Sequence, residues 1–246
     1  MARKTIVIAG TVALLATGMA QAKPGDRLRE RIAERMAERM AGQADANVPQ
    51  APRPQTIAYG GDPLQQLDFW PATAGAGKRP LVVFVHGGGW KRGSKDNAAS
   101  RWAPSHFPAQ GYAYASIDYR LVPAATVEQQ AADVAQAVKA LIDRADELGL
   151  DRRRIVLTGH SAGAHLMALV GTDESYLQGA GLSFADIRGV IPNDGAAYDV
   201  PAQMADGPPM MQATYAQAFG ADPARQRALS PTHHAVAPNA PAFLML

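Results

Sequence analysis

Five residues concentrate the chemistry that this chain could perform: Gly159-His160-Ser161-Ala162-Gly163. A serine hydroxyl is a weak nucleophile until a neighbouring base takes its proton. Here its setting carries the signal. Residues 155–158 before it read as a buried strand, and residues 162–170 after it are apolar all round, as in a buried helix. A serine at such a strand-to-helix turn is held in a strained backbone conformation, with its hydroxyl presented at the end of the sheet. The turn closes only if the flanking positions are glycine or very small, as Gly159 and Gly163 are.

A second signal is independent of the first. His86-Gly87-Gly88-Gly89-Trp90 follows the apolar run 80–85, which has the continuous pattern of a buried strand. Glycines there leave backbone N–H groups bare and able to approach a substrate oxygen. The amides of Gly88 and Gly89, with that of Ala162, would form an oxyanion hole, in which the loss of one donor typically costs about 10²–10³ in rate. A glycine turn alone is weak evidence. Placed before a serine of this kind, it points to acyl transfer.

The elements that must position these residues follow an alternating pattern. Residues 56–59 and 67–70 read as short strands around the turn Gly60-Gly61-Asp62-Pro63. Strands are also expected at 80–85, 112–117, 155–158, 187–191 and 241–246. Residues 96–110 suit an irregular helix. Val127, Ala131, Val134, Val138, Leu141, Ala145 and Leu148 step by three and four, which predicts a long amphipathic helix ended by Gly149. Residues 195–225 are mixed and rich in Met, Pro and Gly. Strands alternating with helices predict an α/β domain: a mostly parallel sheet with helices on both faces.

Composition narrows the rest. The 246 residues suit one α/β domain or two small ones. The absence of cysteine excludes disulfide frameworks, cysteine nucleophiles and Cys-ligated metals. Arg3 and Lys4 supply the whole excess of 24 basic over 22 acidic residues, so the body is neutral and makes no case for nucleic acid as partner. Residues 1–22 have a short basic start, an apolar run and Ala20-Gln21-Ala22, the order of a secretory signal peptide. The run is shorter than a membrane-spanning helix needs, so the expectation is cleavage, no transmembrane anchor, and a periplasmic or secreted location. Within residues 23–55, Leu28, Ile32, Met36 and Met40 form a narrow apolar stripe on a charged helix, either solvated or paired with a partner surface. Pro49, Pro52 and Pro54 then mark a stiff linker. The globular domain is expected at 56–246.

The paired motifs resemble the α/β-hydrolase fold, and within it the hormone-sensitive-lipase-like esterases and their relatives. These include secreted bacterial acetyl and feruloyl esterases and kynurenine formamidase. The resemblance rests on residues 86–90, Asp118-Tyr119-Arg120-Leu121, Asp151-Arg152-Arg153-Arg154-Ile155 and residues 159–166. It implies that Ser161 is the nucleophile and that Gly88, Gly89 and Ala162 hold the oxyanion, with His86, Gly87 and Trp90 supporting the loop. It implies no metal or organic cofactor, and a small-molecule or plant-polysaccharide ester as substrate. A formamidase-type amide hydrolase and a catalytically inactive binding module are the alternatives.

The family's chain order is Ser, then Asp or Glu, then His. The acid normally follows the strand that would be 241–246 here, and the histidine comes one strand later. The expectation is therefore a C-terminally truncated domain whose last strands and helix are missing. Within the chain, Asp194 is the candidate acid, because it follows the strand 187–191, and Asp199 is a weaker neighbour. His233 and His234 are candidate bases. His165 suits the core, His106 has no reason to approach Ser161, and the His160 ring should point away from the hydroxyl. Asp118 is expected to pair with Arg120. Tyr198, Met204, Met210, Met211, Tyr215 and Phe219 either line an acyl pocket or belong to the core.

Overall fold

Apolar strands with no polar face must be covered on both sides, and the sheet is built accordingly. The computed structural model describes residues 51–97, 101–236 and 238–246. The signal-type segment 1–22 and the charged helix 26–41 lie outside the described residues.

Six strands form one sheet in the order β1-β2-β4-β3-β5-β6. They are β1 Gln55–Ala58, β2 Gln66–Trp70, β3 Arg79–Val85, β4 Ala113–Ile117, β5 Leu150–His160 and β6 Gly189–Asn193. The β1–β2 and β2–β4 pairs are antiparallel. The β4–β3, β3–β5 and β5–β6 pairs are parallel. The sheet is thus mostly parallel with an antiparallel edge, as the pattern predicts. Residues 241–246, expected to open a strand, run beside β6. The Val190 N–H donates to the Ala242 carbonyl, and the Leu244 and Leu246 N–H groups donate to the Val190 and Pro192 carbonyls. Only Val190 and Phe243 form a bridge, so the segment is a ragged seventh line rather than a strand.

Helices α1 Ala103–Ala109, α2 Val127–Asp143 and α3 Ala162–Thr172 pack on the sheet, and the short helix α4 Ser175–Gly179 follows α3. The expected helix 96–110 is shorter than its sequence suggests. Thr126 caps α2 through a full capping box with Gln129. The helix ends at Asp143, not at Gly149. Residues after it form successive turns, in which the Ala145 N–H reaches Ile142 and the Leu148 N–H reaches Arg144. Gly149, at φ 67, reverses the chain into β5. Residues 162–171 of α3 are all buried, because the helix lies against β3, β5, β6 and α2. The mixed stretch 195–225 condenses into α5 Val200–Asp206, α6 Gln212–Phe219 and α7 Pro223–Ala228, and α8 Pro231–His234 follows. Among the described residues, no helix is long and apolar enough to cross a membrane.

Buried charges are paired. Asp133, with a side chain 1% exposed, accepts from the Arg120 backbone N–H at 3.0 Å, from its guanidinium Nη2 at 2.7 Å and from Gln65 Nε2 at 2.8 Å. Arg120 therefore pairs with Asp133 and not with Asp118, against expectation. Asp118 instead accepts from the Lys95 backbone N–H at 2.6 Å. It remains structural, but as the anchor of the loop after the glycines. Lys95 Nζ in turn meets Asp68 at 3.1 Å.

Three stability outcomes follow. Asp133→Ala leaves Gln65 and the partly exposed Arg120 guanidinium without their acceptor and should cost about 2–3 kcal/mol in urea unfolding. Lys139→Ala breaks only an exposed pair with Asp143 and should cost under about 1 kcal/mol. Gly163 lies inside α3, where alanine normally gains about 1 kcal/mol. A Cβ there would fall into the Val85 carbonyl oxygen, so Gly163→Ala should instead destabilise by about 1–3 kcal/mol in the same assay.

Candidate active site

Ser161 sits between the end of β5 and the start of α3 with φ 54 and ψ −119. A non-glycine residue in that region costs about 1–3 kcal/mol and persists only when its surroundings hold it. The hold is visible. The Ser161 N–H donates to the Asn193 carbonyl at 3.2 Å, and the Ser161 carbonyl accepts from the His165 N–H at 3.1 Å. Gly159 and Gly163 admit the carbonyl end of β3: a Cβ on Gly159 would lie 2.7 Å from the Val85 oxygen, and one on Gly163 would lie 2.5 Å from the His86 oxygen. The serine itself is half-buried, so it is reachable from solvent.

Strands β3 and β5 are parallel neighbours, with Val85 opposite Gly159. Both chains therefore leave the sheet at the same end, and the glycine loop meets the serine turn. A Cβ on Gly87 would lie 2.8 Å from the His160 carbonyl oxygen and 3.1 Å from Ser161 Cβ, so only glycine lets the loop lie this close. Gly88 and Gly89 adopt φ 129 and φ 61 and are half-buried.

Side chains on either flank anchor this bare stretch. The buried His86 stacks on Tyr119 with ring centroids 4.2 Å apart, and Tyr119 Oη donates to the His86 carbonyl at 2.9 Å. Trp90, at φ 61, is buried against Phe219 and His165. Its carbonyl accepts from the Val122 N–H at 3.0 Å and from Gln130 Nε2 at 2.7 Å. Gln130 carries no motif, and sequence reasoning passed over it. Its one signal is a polar residue on the apolar face of α2.

The other candidates are dispersed. Asp194 is 88% exposed and lies 3.7 Å from His160 Nε2, so its imidazole partner is the residue before the serine. Its backbone also has positive φ, at 45. Asp199 caps α5 and lies 3.6 Å from His233. His234 Nε2 donates to the Ala228 carbonyl at 2.8 Å. His106 is exposed on α1. His165 is fully buried, as expected of a core residue. Among the described residues, none hydrogen-bonds the Ser161 hydroxyl. Of the residues expected in an acyl pocket or the core, Tyr215 and Phe219 are core around Trp90. Met204 and Met211 pack on that core, and Met210 is exposed. Tyr198 borders a cleft of about 310 Å³ with Ala168, Thr172, Phe243 and Met245. That cleft runs along α3, and neither Ser161 nor the glycines line it.

Burial pushes the His165 pKa from its ordinary 6.5 down to about 4 and lowers that of His86. The unfolded chain therefore binds more protons than the folded one between pH 6.5 and pH 4. Stability is whole above that window and falls as pH drops through it, by up to about 1.4 kcal/mol per unit for His165. Urea unfolding at pH 7 and 4.5 should show this slope, and His165→Asn should flatten it.

The chain is similar to known proteins. The family model BD-FAE matches residues 67–189, half of the chain. Esterase LipC of Mycobacterium tuberculosis is 39% identical over 117 residues, which cover 47% of this chain and 28% of that esterase. Kynurenine formamidase of Drosophila melanogaster is 31% identical over 110 residues, covering 45% of this chain and 35% of the formamidase. The chain thus spans about a third of the length of these curated relatives. Esterase B of Lactobacillus rhamnosis superposes with a TM-score of 0.68 at 26% identity, over 89% of this chain and 73% of that one, and has also been solved inhibited by a tributyrin phosphonate. Strand order, the serine turn, the glycine loop and the family match agree: the chain has the α/β-hydrolase fold and belongs to the BD-FAE family.

Proposed function

We propose that this chain carries the nucleophile and the oxyanion loop of an exported serine carboxylic-ester hydrolase. The observation that supports the reading best is the strained Ser161 turn with Gly87 against its Cβ. That contact brings the start of the glycine loop against a half-buried serine, and in this reading the Gly88 and Gly89 amides face its hydroxyl. In this reading Ser161 Oγ attacks the ester carbonyl carbon as its proton leaves to a base. The carbonyl π pair moves onto oxygen, which the Gly88, Gly89 and Ala162 N–H groups receive. Collapse expels the alcohol, which takes a proton, and leaves an acyl-enzyme. Water then attacks that ester and releases the acid.

Among the described residues, Asp194 with His160 and Asp199 with His233 are the two carboxylate–imidazole pairs, and both acids follow β6. Asp194 is the acid candidate because it follows β6; its imidazole partner His160 makes no hydrogen bond to the Ser161 hydroxyl. Export rests on the signal-like residues 1–22. A small ester, or an acyl group on plant polysaccharide, is the proposed substrate. Amide hydrolysis of the formamidase type is the second reading, favoured by the kynurenine formamidase relative.

Two measurements test this. A tributyrin-type phosphonate should add covalently to Ser161 of the 246-residue chain, as read by peptide mass, and Ser161→Ala should abolish the adduct. Hydrolysis of a short-chain aryl ester should fall by at least about 10³-fold in Ser161→Ala and exceed that of a formylated aryl amine in the parent. Equal rates in parent and variant would refute the nucleophile. A preference for the formylated amine would move the chain to the second reading.

A further inference from the structure

Gly88 and Gly89 have no side chains; the Gly88 carbonyl accepts from the Lys91 and Arg92 N–H groups of the same turn, at 3.4 and 3.2 Å. Their position is inherited from the residues on either side, and Trp90 is the nearer and more strained of these. Its indole has a single N–H and no acceptor. That N–H donates to His165 Nδ1 at 3.3 Å. His165 Nε2 donates to the Leu229 carbonyl at 2.8 Å. One neutral tautomer satisfies both bonds: Nδ1 accepts and Nε2 carries the proton. A protonated ring could not accept from the indole.

The ring also stands on the right element. His165 is one turn after Ser161 on α3, and its backbone N–H bonds the Ser161 carbonyl. Its far side is tied to Leu229 at the end of α7. The corner there is itself locked, because the buried Ser230 hydroxyl donates to the Gln226 carbonyl at 2.8 Å and accepts from the Val200 N–H at 2.9 Å. A residue fixed to the serine turn thus holds the side chain that ends the glycine loop. Phe219 closes the same cluster, 4.7 Å from the Trp90 ring and 5.4 Å from the His165 ring.

We infer that His165 is a positioning residue: by accepting from the Trp90 indole it sets Gly88 and Gly89 at a fixed place relative to Ser161. The inference rests on the reading of those glycines as oxyanion donors. Its physical core, the hydrogen bond from the indole at the loop's end to His165 across the core, does not depend on turnover.

The two ring nitrogens can be separated by substitution. His165→Asn puts an amide oxygen near the place of Nδ1 and does not reach Leu229. His165→Gln reaches Leu229 and offers nothing at the place of Nδ1. Trp90→Phe removes the donor. Hydrogen–deuterium exchange of the peptide over 86–92 is the first measurement. We expect exchange about 10–10²-fold faster in His165→Gln and Trp90→Phe than in the parent, and His165→Asn to restore near-parent exchange. Turnover of a short-chain aryl ester is the second. The Gln and Phe variants should lose kcat by about 10–10²-fold with KM within about twofold, and the double variant should lose no more than either single one.

If exchange at 86–92 is equal in the Asn and Gln variants, or follows their unfolding midpoints, His165 is merely a packed core residue and the inference is overturned. If the parent hydrolyses no ester, the proposed function fails, while the exchange result still decides the role of His165.

Discussion

The close approach of the first turn of α3 to the carbonyl end of β3 is the constraint on which the site depends. Gly159 and Gly163 admit the Val85 and His86 carbonyls at distances no side chain would tolerate. This brings the β3 exit against the β5 exit and leaves Ser161 no relaxed backbone conformation to adopt. The strain is spread over a parallel sheet and a fully buried helix, which is how such a turn persists. Everything proposed for function uses this one contact: the exposure of the serine, the nearness of Gly87, and the shared end of the sheet.

Around that contact, the bare glycines are held by aromatic and polar side chains from distant parts of the chain. His86 is held by Tyr119, after β4. The Trp90 carbonyl is held by Val122 and by Gln130 of α2, and its indole by His165 of α3. Strained residues at positive φ recur at Trp90, Ser161, Asp194 and Ala197, all after the ends of β3, β5 and β6. The antiparallel edge of the sheet is secured differently, by buried ion pairs. Asp133 gathers Arg120 and Gln65, and Asp68 gathers Lys95. Each carboxylate meets one cation and a neutral side-chain donor, Gln65 for Asp133 and the Thr56 hydroxyl for Asp68, as buried charge requires.

Much of the fold was legible because its strands are short and continuously apolar, and its motifs are local. The strand at 80–85, the helix from Val127 and the serine turn each announce themselves within a dozen residues. The end of α2 was not legible. Its apolar spacing continues past Asp143 through Ala145 and Leu148, but those side chains reach the core from turns rather than from a helix. The partner of Arg120 was misread for a related reason. Asp118 is near in sequence, yet β4 has ended at Ile117, so no strand alternation aligns it with Arg120; its carboxylate meets the Lys95 N–H, and Asp133 arrives from α2. The Met- and Pro-rich stretch 195–225 carried no period, and its helices exist because Trp90 and α3 offer them a surface.

What the sequence determined by itself was the chemistry's vocabulary: a serine between small residues, a run of glycines after an apolar strand, and the alternation that makes a parallel sheet. These are local facts, set by residue size and by spacing along the chain. What only the tertiary structure decided was which side chains meet across it. The β3–β5 register put Gly87 on Ser161. The packing of α3 put His165 under Trp90. The turn after β6 put Asp194 beside His160 and in solvent. Contacts between residues 75 or 34 positions apart depend on register and helix placement, and no local pattern encodes those.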